Sequence, residues 1–441
     1  MLLCDANRLY LRRAVRWRTV RLLLLVFVLF NVFDVLRIHH HLVANDSRAH
    51  GRRGATTAAG PSRPHERVYI ASMHFNNGEI LREHWNNAVV RLTETFGPKN
   101  VFVSIFESGS WDDSKAVLRE LAAELDNRGV PHRIDTSDVT HHDELARSDA
   151  EKGDGWIDTP RGKKELRRIP YLARLRNRTI KDLLDLHAKG IDFDKVLFLN
   201  DVVFSTEDVL ELMDTNGGEY GAACSLDFSK PPLYYDTFAL RDIEGSPHVM
   251  QTWPYFRARD SRSALVNNMD AVPVTSCWNG IGMDPLVHDS CDCSTGLLTS
   301  CNTVVMPAEP FVSSTRLRFR GIPDSLALHH LEGSECCLIH ADNPLSRTLG
   351  VYLNPRVRVG YNLAAYEATH PAGAAWVSTW NIFKGMWTNR VRRWTSVTFE
   401  GVVRKRRLRA WEAEKPGNRE PGDFCLINEM QVLVDNGWAH V

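Results

Sequence analysis

An open, doubly wound α/β sheet with mostly parallel strands is the fold this sequence predicts, and three observations predict it. Short apolar, β-branched runs alternate with stretches whose apolar residues fall at helical spacing, the rhythm of strand–helix–strand units. Several of the strand runs are continuously apolar rather than alternating, as strands buried on both faces are. Two of them meet an acid, Asp201 and Asp227, toward the carboxyl end, where sheets of this kind bind ligands.

Order begins at Arg67–Ser72, a first strand that ends in the polar loop Met73–Gly78, which contains Asn76. Residues 79–95 carry Ile80, Trp85, Ala88, Val89 and Leu92 at helical spacing. A second strand follows at 100–106, a helix at 114–128 and a short third strand at 131–134. The polar stretch 141–164 reads as a mobile loop, and 167–187 as a helix with Arg174 and Asn177 on one face. Residues 194–204 form the clearest strand, apolar apart from Asn200 and Asp201 near its end. Ser205 and Asp208 then fit a capping box that opens a helix. Residues 220–228 are another strand. After about residue 380 the pattern weakens. The basic run 404–409 reads as a solvated face, with an acidic-lipid contact as the alternative.

The 441 residues hold 54 basic and 54 acidic side chains, a balance that gives no overall nucleic-acid signature. The first 36 residues are uneven, with six Arg against Asp5 and Asp34, or +4. Behind those arginines, residues 20–36 are almost wholly apolar and would span about 25 Å as a helix. That length suits the thinner membranes of the early secretory pathway. Arginines before the span place the N-terminus in the cytosol and the bulk of the chain in the lumen. A cleaved signal peptide is the competing reading. Residues 1–19 are then a cytosolic tail, 20–36 a signal anchor, 37–66 a flexible stem, 67–390 the main domain and 391–441 a C-terminal extension. Sequons at Asn45 and Asn177 agree with a luminal domain. So do the eight cysteines beyond the anchor, an even number that points to disulfides rather than zinc.

Asp201 is the residue that carries most chemistry. An unpaired charge inside an apolar run is costly, and a divalent cation offsets that cost by bridging the carboxylate to a diphosphate. Such a cation would carry the charge that builds on a departing nucleoside diphosphate. The alternative is a purely structural acid.

Val196–Phe204 (VLFLNDVVF) resembles the Asp-x-Asp strand of GT-A-fold glycosyltransferases. Further segments resemble the fungal capsule-associated α-1,3-mannosyltransferases, glycosyltransferase family 69. They are Arg168–Asn177 (RIPYLARLRN), Tyr235–Asp242 (YDTFALRD), Ser276–Gly280 (SCWNG) and Ser334–His340 (SECCLIH). The resemblance covers roughly residues 65–390. It implies a GT-A-like nucleotide-sugar-binding domain in a Golgi or other secretory-pathway membrane. It also implies transfer of mannose from GDP-mannose to a mannose-containing glycan, with an α-1,3 linkage, retained configuration and Mn²⁺ or another divalent cation.

By position, the resemblance implies that Asp201 and His340, the latter at the end of a strand, contact the metal. Glu335 and Asp236 become the catalytic acids, with Arg241 a further candidate. Arg174, Asn76, Trp278 and Asn279 become nucleotide-sugar contacts: a guanidinium fork for phosphate, and an aromatic face with an amide for sugar. Each has a structural alternative: an ion pair for Arg174, Asp236 and Arg241, a satisfied histidine for His340, a surface acid for Glu335 and a core ring for Trp278. One departure stands out. The strand neighbours that share a face with Asp201 are Leu199 and Val203, so a single carboxylate replaces the usual pair. That departure favours a second reading, a glycosyltransferase-like protein without catalysis, beside a third that keeps the chemistry with another sugar nucleotide.

Overall fold

The computed structural model describes residues 2–56, 65–278, 303–396, 399–435 and 437–441. Ten strands make one sheet: β1 Val68–His74, β2 Val101–Glu107, β3 His132–Thr136, β4 Lys195–Phe198, β5 Ala222–Lys230, β6 Leu233–Tyr234, β7 Arg241–Asp242, β8 Val272–Ser276, β9 Val304–Pro307 and β10 Val351–Gly360. Their order across the sheet is β3-β2-β1-β4-β9-β5-β10-β8-β7, with β6 paired to β5. β1, β2, β3, β4, β5, β7 and β10 point one way, and β6, β8 and β9 run against them. The sheet is therefore largely parallel in direction, and its reversed strands lie in the second half.

Alternation along β1 shows why helices cover both faces. Val68 and Ile70 enter one hydrophobic core, while Tyr69 and Ala71 enter the other. The first core is closed by helices α2 (Asn86–Phe96), α3 (Ser114–Asn127) and α5 (Thr206–Met213) through Val89, Leu92, Phe96, Leu118, Leu121 and Val209. The second takes α4 (Arg168–Thr179) and α6 (Glu335–Asp342) through Ala173, Leu338 and Ile339. The capping box expected before α5 is present, with Ser205 and Asp208 bonding reciprocally.

The segment 141–164, expected to be a mobile loop, is structured. It contains a short helix, His141–Leu145, and the hairpin Trp156–Asp158 with Lys164–Leu166. Trp156 and Leu166 are buried there and supply the anchor that the polar composition hid.

The N-terminal helix, which we number α1, is longer than expected at Leu2–Thr56. Residues 17–44 within it are long and apolar enough to cross a membrane, and 17–30 are exposed throughout. Helix continues through Arg37–Thr56 where a flexible stem was expected, because Ile38 and Leu42 share a face and bury against the domain. Three more helices follow the sheet: α7 (Leu363–Thr369), α8 (Thr379–Thr395) and α9 (Phe399–Glu414).

Residues 391–441 are tied into the main domain. Cys425 is disulfide-bonded to Cys337, Leu426 and Ile427 pair with Gly333 and Glu332, and Gln431 accepts from Arg168. The second disulfide joins Cys224 to Cys277, while Cys336 is a buried free thiol. Cys291, Cys293 and Cys301 lie outside the described residues. Both ends of the Asn177 amide are taken by the backbone of Phe319, at 2.8 and 3.0 Å.

Candidate active site

The register across β9 sets two acids on one edge of the sheet. Val304 pairs with Phe198 on one side and with Cys224 on the other, and Asp201 and Asp227 each lie three residues further along their chains. β4 stops at Phe198, so Asp201 sits in a turn rather than inside the strand, and Val203 then bridges to Gly360. Leu199 and Val203, expected to share a strand face with Asp201, therefore lie beyond the end of β4 with it.

Asp201 is buried beneath the loop that follows β1. Asn77 donates through Nδ2 to Asp201 Oδ2 at 2.7 Å, and its own Oδ1 accepts from the Phe75 backbone at 3.0 Å. Asp201 Oδ1 is buried without a hydrogen-bond partner among the described residues. Burial pushes this carboxyl up to about 7, against the opposing pull of backbone, Asn77 and the Arg176 charge.

Asp227 is equally buried, and burial pushes it up to about 7 as well. Its oxygens accept from the Tyr361 hydroxyl at 2.9 Å and the Asp236 backbone at 3.2 Å. The rings of Tyr235 and Tyr361 lie 4.5 Å apart. Burial raises both phenols, and the charges of Asp227 and Asp201 reach both and raise them further.

Arg176, buried on α4, donates from Nε to Glu335 Oε1 at 2.9 Å, and its charge reaches Asp201. A cation between two buried acids can neutralise a diphosphate without much rearrangement.

The residues singled out from sequence divide around this cluster. Asp201 is at its centre, and Glu335 enters it as the partner that fixes Arg176. Asp236 contributes its backbone N–H to Asp227, while its side chain accepts from the backbone of Phe238 and Ala239 and shapes the turn. Arg174 faces outward, donating to the Asp154 carbonyl at 3.1 Å; two residues on, Arg176 faces inward. Asn76 takes a left-handed φ of 51° and ties its loop to Ser110 and Trp111, leaving Asn77 to reach Asp201. Trp278 is a core ring, fully buried 4.9 Å from Phe198 and 5.2 Å from Phe319. Arg241 spends its guanidinium on the carbonyls of Phe238, Leu240, Phe424 and Cys425. Asn279 lies outside the described residues.

His340 requires a correction. It lies on α6, not at a strand end, because Ser334 caps a helix across the short apolar run where strand and helix look alike. Its Nε2 bonds the Cys277 carbonyl at 2.6 Å, and the one three-ligand cluster among the described residues groups it with Cys224 and Cys277. Those two sulfurs are bonded to each other, and Asp201 is not in the group, so this is no metal site.

Sequence reasoning missed Asn77, Arg176, Tyr235 and Tyr361, and noted Asp227 without assigning it a role. Arg176 and Tyr235 stood inside segments already singled out, and the acid of Asp227 at a strand end was the same signal that selected Asp201.

The sequence profile described as cryptococcal mannosyltransferase 1 matches residues 67–342. The chain belongs to that family. This family of mannosyltransferases places the chain among glycosyltransferases, and the matched stretch contains Asn77, Arg176, Asp201, Asp227 and Glu335. Strand β10 and Tyr361 fall beyond it. No curated protein matches the chain. Among solved structures, the chain is similar to the mannosyltransferase PcManGT from Pyrobaculum calidifontis, in complex with GDP-Man and Mn²⁺. The identity is 11%, with 87% of this chain and 86% of that one covered and a TM-score of 0.34. It is also similar to S. aureus TarS 1-349, at 9% identity, 78% and 69% coverage and a TM-score of 0.32. The same TarS fragment in complex with UDP gives 10%, 78% and 70%, and 0.31.

Proposed function

We propose that this mannosyltransferase-family protein transfers mannose from GDP-mannose to an α-mannoside-containing glycan. The linkage formed is α-1,3, with configuration retained, and the reaction depends on Mn²⁺ or a similar cation. The observation that carries the reading is Asp201, a buried carboxyl at the ligand edge of the sheet with one oxygen held by Asn77 and the other unpartnered. A buried, unpaired carboxylate oxygen is costly, and a hard cation fits it.

Asp201 would hold the cation, with Asp227 as a second acid on the same edge. The bound cation would supply positive charge to the diphosphate as it leaves. Arg176, held by Glu335, adds a fixed positive charge on the same side. Half-buried Tyr361 keeps Asp227 oriented through its hydroxyl, with the Tyr235 ring packed against it. Asp236 acts by shaping the turn that supports Asp227, its carboxyl capping that turn rather than meeting the substrate. α1 anchors the chain as a single-pass segment, with the catalytic domain in the lumen of the Golgi or another secretory compartment.

The test is to incubate the purified chain with GDP-mannose, Mn²⁺ and an α-mannoside acceptor, then determine linkage and anomeric configuration of any product. Turnover should vanish in Asp201→Ala and on chelation. Turnover indifferent to both would remove the metal role, and an inverted product would remove the retaining mechanism.

A further inference from the structure

Helix α8 has two faces with different fates. One packs on the domain: Ile382 is buried, Gly385 lies where a Cβ would meet the Trp253 carbonyl, and Asn389 donates to the Phe256 carbonyl at 3.1 Å. On another face, Trp380, Trp387 and Trp394 recur every seven residues, two helical turns apart, and so form one stripe. Val391 extends it. Trp380 and Trp394 are 67% and 71% exposed, values that water alone does not reward in an indole.

The central member of the stripe identifies its neighbour. Trp387 donates from Nε1 to Asn31 Oδ1 at 2.7 Å, and its ring lies 5.3 Å from that of Phe27. Phe27 and Asn31 belong to the apolar stretch of α1 that is long enough to cross a membrane. One turn on, Arg390 faces Asp34 at 3.8 Å. The stripe thus continues the apolar surface of α1 sideways onto the domain. Beyond it, α9 exposes Phe399 and Val402 and carries Lys405, Arg406 and Arg409 on its surface. From 379 to 409 there are nine Lys or Arg against Glu400 alone. Tryptophans beside cations are the composition that settles at the boundary between acyl chains and phosphate headgroups.

We propose that the Trp380–Trp387–Trp394 stripe of α8, with the exposed apolar start of α9, is covered by lipid beside α1 and seats the catalytic domain on the bilayer. The occupant of this surface is lipid. The proposal rests on α1 being a span, and the two are separable by experiment.

Full-length chain is reconstituted into phosphatidylcholine vesicles containing dibrominated lipid, and tryptophan emission is compared with that of W380F/W394F, whose changes fall at exposed positions. The emission that the double variant loses is expected to be quenched by bromolipid and shielded from aqueous acrylamide. If acrylamide quenches that emission and bromolipid does not, the stripe faces water and the proposal fails. Shielding from both quenchers would mean that a protein, such as a second copy, covers the stripe, and the proposal also fails. Retention through an alkaline carbonate wash reports α1 independently; release of the chain would remove the span reading and this inference with it.

Discussion

Asn77 donates to Asp201 across the gap between the loop after β1 and the turn after β4, and this 2.7 Å contact joins the loops of two neighbouring parallel strands. Asn77 itself is braced: its backbone N–H donates to Ser114 Oγ at 2.8 Å and its Oδ1 accepts from Phe75. A rigid donor thus fixes one carboxylate oxygen and leaves the other directed elsewhere. Asn77→Ala should release Asp201 from that orientation. The expected result is a kcat lowered by roughly 10- to 100-fold, the range seen when a partner orienting a ligand is removed. The midpoint for Mn²⁺ activation should rise alongside. A steady-state titration with Mn²⁺ measures both, and an unchanged midpoint would separate Asn77 from metal binding.

The raised carboxyls predict a pH dependence of stability. In the cation-free protein, Asp201 and Asp227 sit near 7 rather than 3.8 because burial disfavours their charged forms. A folded-state pKa raised in this way contributes stability that is complete below the unfolded value and is lost as pH rises through the folded one. The window is therefore about pH 4 to 7. His74, His248 and His340 work the other way, since burial lowers each to about 4, and their contribution is lost as pH falls from about 6.5 to 4. Comparing wild type with Asp201→Asn isolates the carboxyl. The wild type should lose Tm relative to the variant between pH 4 and 8, and Mn²⁺ at pH 8 should restore Tm in the wild type alone. Thermal unfolding with and without the cation reads both effects.

Arg176 and Glu335 form an ion pair with both partners buried. Removing one member leaves an uncompensated charge, a loss of about 3–5 kcal/mol in comparable pairs. Glu335→Ala should thus unfold at markedly lower denaturant. The double variant Arg176→Met/Glu335→Leu should regain most of that stability but not the activity, because no cation then faces Asp201. Denaturant midpoints and turnover for the three proteins test this. Activity in the stable double variant would show that Arg176 serves packing alone.

How much of this was legible beforehand depended on how local each signal was. The strand rhythm and the acid after β4 were visible because burial writes itself into consecutive residues, as in Val196–Leu199. The inward choice of Arg176 over Arg174 was not, because two arginines two apart on a helix differ only by which face the domain covers. His340 misled for a related reason: a short apolar run fits a buried strand and a buried helix equally, and only the Ser334 cap decides. The structured segment 141–164 and the helix running on through 37–56 rest on distant contacts, at Trp156 and Ile38, that composition cannot show.

The same dependence on distant contacts governs the C-terminus, where weak periodicity hid an integral part of the domain. Arg168, two turns before Arg176 on α4, is buried and donates to Gln431 Oε1 at 2.6 Å while lying 4.7 Å from the Trp438 ring. The Cys337–Cys425 bond fastens the same tail to α6, the helix that carries Glu335. In the chain-entropy account, a crosslink closing 88 residues contributes roughly 4–5 kcal/mol. Truncation after residue 390 would cut through α8, remove that crosslink, and strand Arg168 without its acceptor. The truncated chain should therefore be recovered unfolded or aggregated, whereas one that begins at Trp17 and keeps the rest of α1 should keep its fold. Cys337→Ser/Cys425→Ser offers the milder test: it should fold, with a Tm several degrees lower and turnover reduced in proportion to the folded fraction. Circular dichroism melts of the double variant beside its activity check that proportionality. A full loss of activity in a folded variant would mean that the tail positions α6, and with it Glu335, more directly than its stability alone requires.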